Sequence, residues 1–316
     1  MSMILGLEIG GTKCSVWLGR REAGAMRLLG HLIFPTIPEP KECFHALAQA
    51  GDALLREHPG NLAAVGISCG SPLDAVHGVV QTPPNLPLWK DVPIAQWAQE
   101  LWGVPAFLQN DADACALAEW QYGAGRGARN MIFLTFGTGM GAGLILDGRL
   151  YSGTLGMGGE IGHIRLADQG PVGYGKRGSV EGFCSGGGVK QLAETYAREA
   201  LQAGGAPPWA EGEISAKTVA QAALAGEPIA CAVYEEVGRW LGRTLAILVD
   251  LLNPQRIVIG SIFARSGRLM IPSMERELAR ECLPGSLAAC EIVPCELGED
   301  MGGYGCMAVA ETRMAR

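Results

Sequence analysis

No apolar run in this 316-residue chain reaches the roughly 18–20 residues that a membrane-spanning helix needs. The longest candidate, LGRTLAILVDLL, is broken by Arg243 and Asp250, so no membrane partner is expected. No two of the ten cysteines form a C-x-x-C pair, and most sit inside apolar runs. That favours buried, reduced thiols over a disulfide framework. Lys and Arg form no run, and 25 basic against 32 acidic residues leave a formal net charge of −7, a poor match for a nucleic-acid backbone. The start, MSMILGLEIGG, lacks the basic stretch and small-residue cleavage site of a secretory signal, so the expected compartment is the cytoplasm. Aromatic residues are scarce at 6%, whereas glycine occurs 46 times in a composition that is 48% hydrophobic. Such a balance suits a glycine-rich α/β enzyme of one large or two medium domains.

The glycines fall at telling places. MILGLEIGGTKCSVWLG reads as strand, tight Gly-Gly turn, strand, and the same plan returns in MIFLTFGTGMGAGLILDG. Between them, residues 41–57 have the period of an amphipathic helix, LAAVGISCG (62–70) is a short apolar strand, and 70–89 is a proline-rich loop. VPAFLQ is a further strand. It leads into an Ala-rich helix, NDADACALAEWQYG, with Asn110 or Asp111 at its N-cap and Gly123 after its end. Region 187–252 is mainly helical and closes on a long amphipathic helix near Glu227–Leu252. RIVIG (256–260) is a buried strand, and a glycine-opened helix ends the chain. The repeated plan predicts two α/β lobes, 1–117 and 118–301, with the helix at about 302–316 returning to the first.

Gly137, Gly139 and Ala142 fit G-x-G-x-x-[GA], but that fingerprint receives a pyrophosphate only where the loop opens a helix. Here the loop opens an apolar stretch closed by a D-G turn, which reads as a hairpin, and no Walker motif G-x-x-x-x-G-K-[ST] occurs. A glycine hairpin can still bind phosphate through successive backbone N–H groups, with no Cβ in the way. One such loop alone is as well explained by a plain tight turn needing φ > 0. Two of them, each with a threonine beside the glycines (Thr12, Thr138), favour a grip on one polyphosphate from both sides. The expected fold is the bilobal actin-like ATPase (ribonuclease H-like) α/β fold, two domains around a central cleft.

The segment TFGTGMGAGLILDGRLYSGTLGMGGEIGHI (135–164) resembles the signature of the ROK family of repressors, open reading frames and sugar kinases. LEIGGTK, TPPNLPLWKDVP (82–93), NDADACALAE (110–119) and VEGFCSGGG (180–188) match in the family order, over most of the chain. The resemblance implies ATP- and Mg²⁺-dependent phosphorylation of a hexose, glucokinase-like and at the 6-OH, by a homodimer. An N-acylated amino sugar such as N-acetylmannosamine is the alternative substrate, and a non-catalytic sugar sensor the alternative class. Repressors of the family carry a helix-turn-helix segment before the first loop. GLEIGGTK begins within ten residues of the start here, so no such segment is expected.

Phosphoryl transfer to a sugar hydroxyl needs an acceptor for the hydroxyl proton, a held sugar, and Mg²⁺ with N–H donors on the moving phosphate. Asp111, at a strand end opening a helix, is the candidate base, although spacing alone fits N-capping by Asn110 or Asp111 equally well. The resemblance assigns sugar binding to Asn110 and catalysis to Asp111. Proximity to a helix N-terminus should keep that carboxylate ionised. Glu160 and His163, in GEIGHI, can exchange hydrogen bonds with ring hydroxyls, and E-x-x-H is also half a metal site that would need further ligands.

Many relatives supply those ligands through C-x-C-G-x-x-G-C, which holds zinc with the same histidine. Val172, Tyr174 and Ser179 stand at the three cysteine positions here, with Gly175 and Gly178 kept, so no zinc or other metal ligand set is expected. His163 is then free to serve as a sugar ligand, and the resemblance assigns sugar binding to Glu181. Gly70, Ser71 and Asn85 are further sugar-side candidates, with turn chemistry the equal reading for Asn85. Glu8, Gly10, Gly11, Thr12 and Lys13 of the first loop, Gly137, Thr138 and Gly139 of the second, and Gly260 are the candidate nucleotide and Mg²⁺ residues. Two departures stand out. Glu8 occupies a place usually held by Asp, a carboxylate shift of roughly 1 Å. Ser261 and Ile262 follow Gly260 where relatives continue with glycines, which bears on the nucleotide pocket.

Overall fold

The protein is described here by a computed structural model covering residues 2–315; Met1 and Arg316, the outer ends of the expected lobes, lie outside the described residues. The chain divides into two compact units: Met1–Gly127 with Gly143–Gly158 and Glu296–Arg316, and Ala128–Ala142 with Gly159–Cys295. The first border thus falls after Gly127 rather than after residue 117, and the segment 143–158 counts with the first unit.

The first unit opens with β1 (Ser2–Ile9), β2 (Lys13–Glu22), β3 (Ala25–Pro35), α1 (Pro40–Glu57) and β4 (Asn61–Cys69). A small hairpin of β5 (Leu73–Asp74) and β6 (Val79–Val80) follows, then α2 (Ile94–Trp102), β7 (Ala106–Asn110) and α3 (Asp111–Tyr122). The sheet order is β3-β2-β1-β4-β7, antiparallel on the β3 side and parallel from β1 to β7. β1 is buried on both faces, so it reads as a near-continuous apolar run rather than an alternating one. Met3, Leu5, Leu7 and Ile9 enter the cluster with Cys43 and Leu47 of α1 and Ile94 and Ala98 of α2. Ile4, on the opposite face, meets Cys306, Met307 and Ala310.

The next elements are β8 (Met131–Phe136), β9 (Met140–Leu146), β10 (Arg149–Tyr151), β11 (Val172–Gly173), β12 (Lys176–Arg177) and α4 (Val180–Phe183). Then come α5 (Gly186–Gln202), α6 (Ala216–Leu224), α7 (Pro228–Leu252), β13 (Arg256–Ile259), α8 (Ile262–Ser266), α9 (Ile271–Glu281), α10 (Pro284–Ala288), β14 (Glu291–Pro294) and α11 (Met301–Met314). The second sheet runs β10-β9-β8-β13-β14, with β8, β13 and β14 parallel. Gly238 and Gly242, one helical turn apart on α7, let α9 pack tightly, because a Cβ on Gly242 would stand 2.6 Å from Met274 O.

α11 lies on β1, β4 and α3 of the first unit. Its close approach is bought by glycines in the strands, since a Cβ on Gly6 would come 2.7 Å from Cys306 Cβ and one on Gly66 would collide with the Cys306 carbonyl. Among the described residues no helix is long and apolar enough to cross a membrane.

Candidate active site

The site residues form two groups, one in each unit. In the first unit, β1 and β2 meet at the first glycine loop. Gly10 N–H donates to Lys13 O at 3.1 Å, and Thr36 Oγ1, just past β3, donates to Gly10 O at 2.6 Å and fixes the turn from outside. Neither Gly10 nor Gly11 has a positive φ, so the plain-turn explanation fails for this loop. Space demands the glycines instead: a Cβ on Gly10 would lie 2.8 Å from Lys13 O, and one on Gly11 would collide with Asn85. Asn85, offered as a sugar ligand, thus rests on the first glycine loop. Thr12 and Lys13 are exposed. Glu8 is half-buried, accepts from Trp17 Nε1 at 3.4 Å, and its carboxylate lies where a Cβ on Gly302 would be. A glycine in α11 therefore makes room for the longer acid.

β7 ends at Asn110, and α3 begins at Asp111. Asn110 is the N-cap: its Oδ1 accepts from Ala112 N at 2.9 Å and Asp113 N at 3.2 Å, while Nδ2 donates to Ser71 Oγ at 2.9 Å. Both lone pairs are used, which leaves one amide hydrogen for a ligand. Asp111 Oδ1 accepts from Ala112 N at 2.8 Å. The residue keeps solvent access, yet protein packed around it desolvates the carboxyl and pushes it above the ordinary carboxylate value, against the lowering by the Ala112 N–H. The helix N-terminus alone predicts the opposite sign, so desolvation outweighs it here. Gly70, beside Ser71, has no positive φ and nothing within 4 Å of where its Cβ would stand.

Two further acids of α3 are already engaged. Asp113 Oδ2 accepts from Gln109 Nε2 and Ser152 Oγ, each at 2.6 Å. Glu119 is fully buried; its Oε1 accepts from Glu296 N and Leu297 N at 3.0 Å, and its Oε2 from Ala124 N at 2.7 Å. The motif's spacing held no signal that distinguished these structural acids from Asp111.

In the second unit, Gly137 N–H donates to Gly139 O at 3.1 Å, and Gly141 N donates to Thr135 Oγ1 at 2.8 Å, closing the second glycine loop. Glu181 Oε2 accepts from Met140 N at 3.1 Å, and a Cβ on Gly139 would stand 2.7 Å from that oxygen. The carboxylate is therefore seated against the loop. Glu160 and His163 flank a short turn whose Gly162 faces Glu181, and both are exposed. Gly137 and Gly139 lack positive φ. At Gly137 no clash demands glycine either, since the nearest atom to an added Cβ would be Ser261 Oγ at 3.8 Å. Gly186 N–H donates to Gly137 O at 2.8 Å, which brings the start of α5 to the same loop. Gly187, next along α5, is exposed and likewise unconstrained, a site feature that sequence reading missed. Gly260 N–H donates to Leu134 O at 2.9 Å at the end of β13.

The stretch 172–179 forms a hairpin. Tyr174 and Gly175 have φ of 42° and 74°, as a type I′ turn requires. Gln191 clamps Val172 through both backbone groups, accepting from its N–H and donating to its C=O, each at 2.9 Å. Tyr174 meets the His163 ring edge-on at 5.3 Å, Lys176 Nζ donates to His163 O at 2.7 Å, and Ser179 Oγ caps α4 at Gly182 N at 3.1 Å. All three positions matching metal-binding cysteines of relatives thus carry other contacts. Among the described residues no group of three or more His, Cys, Asp or Glu could hold a metal ion.

Two α/β units with glycine hairpins after their first strands define an actin-like ATPase fold. The chain belongs to the ROK family, whose model matches residues 4–313. It is 30% identical over 315 residues to the glucokinase of Streptomyces coelicolor, covering 96% of each chain. The crystal structure of a ROK family glucokinase from Streptomyces griseus, in complex with glucose and AMPPNP, is similar at a TM-score of 0.79, with 28% identity over 98% of this chain and 99% of that one. A ROK family transcriptional regulator, a homologue of the Escherichia coli MLC protein, is similar at a TM-score of 0.85 and 25% identity, over 97% of this chain and 78% of its own.

Proposed function

We propose that this chain is a cytoplasmic sugar kinase that transfers a phosphoryl group from ATP to a hexose hydroxyl, glucose at its 6-OH being the first substrate to test. The observation that carries the reading is Asp111: an accessible carboxyl fixed by a backbone N–H, with a raised tendency to hold a proton, in a chain 30% identical to a glucokinase along its length. Asp111 accepts the hydroxyl proton as transfer proceeds. Ser71, the remaining amide hydrogen of Asn110, Glu160, His163 and Glu181 hold sugar hydroxyls. In the loops at Gly10–Lys13 and Gly137–Gly139, the N–H groups other than those of Gly10 and Gly137, which close the turns, receive phosphate oxygens, and the open surface at Gly137 supports that role. Glu8 offers the hard oxygen donor that Mg²⁺ takes while keeping several waters, and Lys13 adds a positive charge. Bound there, Mg²⁺ would neutralise phosphate charge. The contacts of Val172, Tyr174 and Ser179 hold the sugar-side hairpin in place of zinc.

The likeness to a transcriptional regulator supports a second reading, a sugar sensor without turnover. A coupled ADP-release assay with Mg-ATP over a panel of hexoses and N-acyl amino sugars separates the two. Sugar-dependent ADP formation sinks the sensor, and sugar binding without turnover sinks the kinase.

A further inference from the structure

Ser261 follows Gly260 with φ 48° and ψ −104°, a conformation suited to glycine and strained for any residue with a Cβ. Its side chain is exposed, and its hydroxyl makes no capping bond and no other hydrogen bond with a described residue. That hydroxyl is the nearest atom to the open side of Gly137. Ile262, the next residue, would come 3.6 Å from a Cβ on Gly186, whose N–H already holds the Gly137 carbonyl. Three segments therefore converge: the second glycine loop, the start of α5 and residues 260–262. Strained residues persist only where their surroundings hold them, and they collect where ligands are gripped.

We propose that Ser261 is a phosphoryl-donor contact, its hydroxyl donating a hydrogen bond to a phosphate oxygen of a nucleoside triphosphate laid along Gly137. The proposal rests on the reading of the second glycine loop as a phosphate site. On sequence grounds, Ser261 only adds bulk to a glycine-rich corner. The geometry gives that bulk a use, because the strained backbone sets a neutral donor beside the open face of Gly137. Alanine removes the donor and keeps the strain, whereas glycine removes both.

AMPPNP binding to the full chain, measured by titration calorimetry with Mg²⁺, tests the proposal. Ser261→Ala is expected to weaken AMPPNP about tenfold, the loss of one hydrogen bond to a charged group. Ser261→Gly should weaken it to a similar degree while raising Tm, and sugar affinity should stay unchanged in both. Unchanged AMPPNP affinity in Ser261→Ala, or tighter binding in Ser261→Gly, overturns the contact. Failure of the unsubstituted protein to bind AMPPNP overturns the phosphate reading of the loop itself, and the contact with it.

Discussion

Asn110 Nδ2 donates to Ser71 Oγ at 2.9 Å, which ties the residue that caps α3 to the loop following β4. One amide group therefore holds two segments in register while leaving a hydrogen for a ligand. Replacing Ser71 by Ala removes this tie and leaves the Asn110 side chain held only by its cap bonds from Ala112 N and Asp113 N. Sugar affinity is expected to fall several-fold with the ATP KM unchanged, and stability to fall by about 1 kcal/mol, the net worth of one hydrogen bond. Sugar titration and urea unfolding of the variant check both, and an unaltered sugar affinity counts against Ser71 as part of the sugar side.

Asp111→Asn should abolish turnover and leave sugar affinity within about tenfold, since the amide keeps the shape but cannot accept a proton. The pH dependence has a definite sign. Desolvation holds the Asp111 carboxyl above its ordinary value of 3.8 in the folded protein, so the native state binds this proton more tightly than the unfolded chain does. Its ionisation then costs stability at neutral pH, and the cost vanishes as pH falls through the raised value toward 3.8. Asp111→Asn is expected to raise Tm at pH 7, with the gain shrinking on acidification. In the unsubstituted protein, kcat/KM should begin to fall on acidification while still above pH 3.8. A variant with near-normal turnover removes Asp111 as the base.

The hairpin at 172–179 makes a third prediction. Gln191→Ala removes both clamps on Val172 and loosens the segment that supports His163. Sugar affinity should drop several-fold while AMPPNP affinity holds, and His163→Ala should show the same ordering more strongly. Elemental analysis of the purified protein should find no stoichiometric zinc. One zinc per chain would overturn the hairpin's role.

Much of this was legible in the residues, and what was not has physical causes. The strand, glycine turn, strand plan at both loops follows from apolar runs and turn residues, and the Asn110 cap from a short polar side chain before an Ala-rich helix. The reason for each glycine was hidden. Gly11 yields to Asn85, and Gly66 to Cys306, and such partners lie far along the chain. Thr36, which fixes the first loop, gave no local signal because its partner is 26 positions away. The strain at Ser261 is a backbone angle that composition cannot show. The separation of Asp111 from its neighbours Asp113 and Glu119 likewise needed their partners to be seen.

Glu119 gives the last prediction, because it ties α3 to the chain at 296–297. Its carboxylate is fully buried and accepts three backbone N–H groups, two of them at 296–297, where the chain approaches α11. Burial pushes this carboxyl upward despite those donors, so they do not fully offset its desolvation. Truncation leaves the donors buried without an acceptor, and each orphan costs about 1–3 kcal/mol. Glu119→Ala is therefore expected to lose about 3 kcal/mol or more in urea unfolding at pH 7. Glu119→Gln should fall between, since its amide keeps one acceptor oxygen but turns an N–H₂ toward a donor. Because α3 carries Asp111 at its start, kcat should fall with stability in both variants, and the sugar KM should move less. An unfolding free energy for Glu119→Ala within 1 kcal/mol of the unsubstituted protein would show that water takes over these N–H groups and that the carboxylate is dispensable.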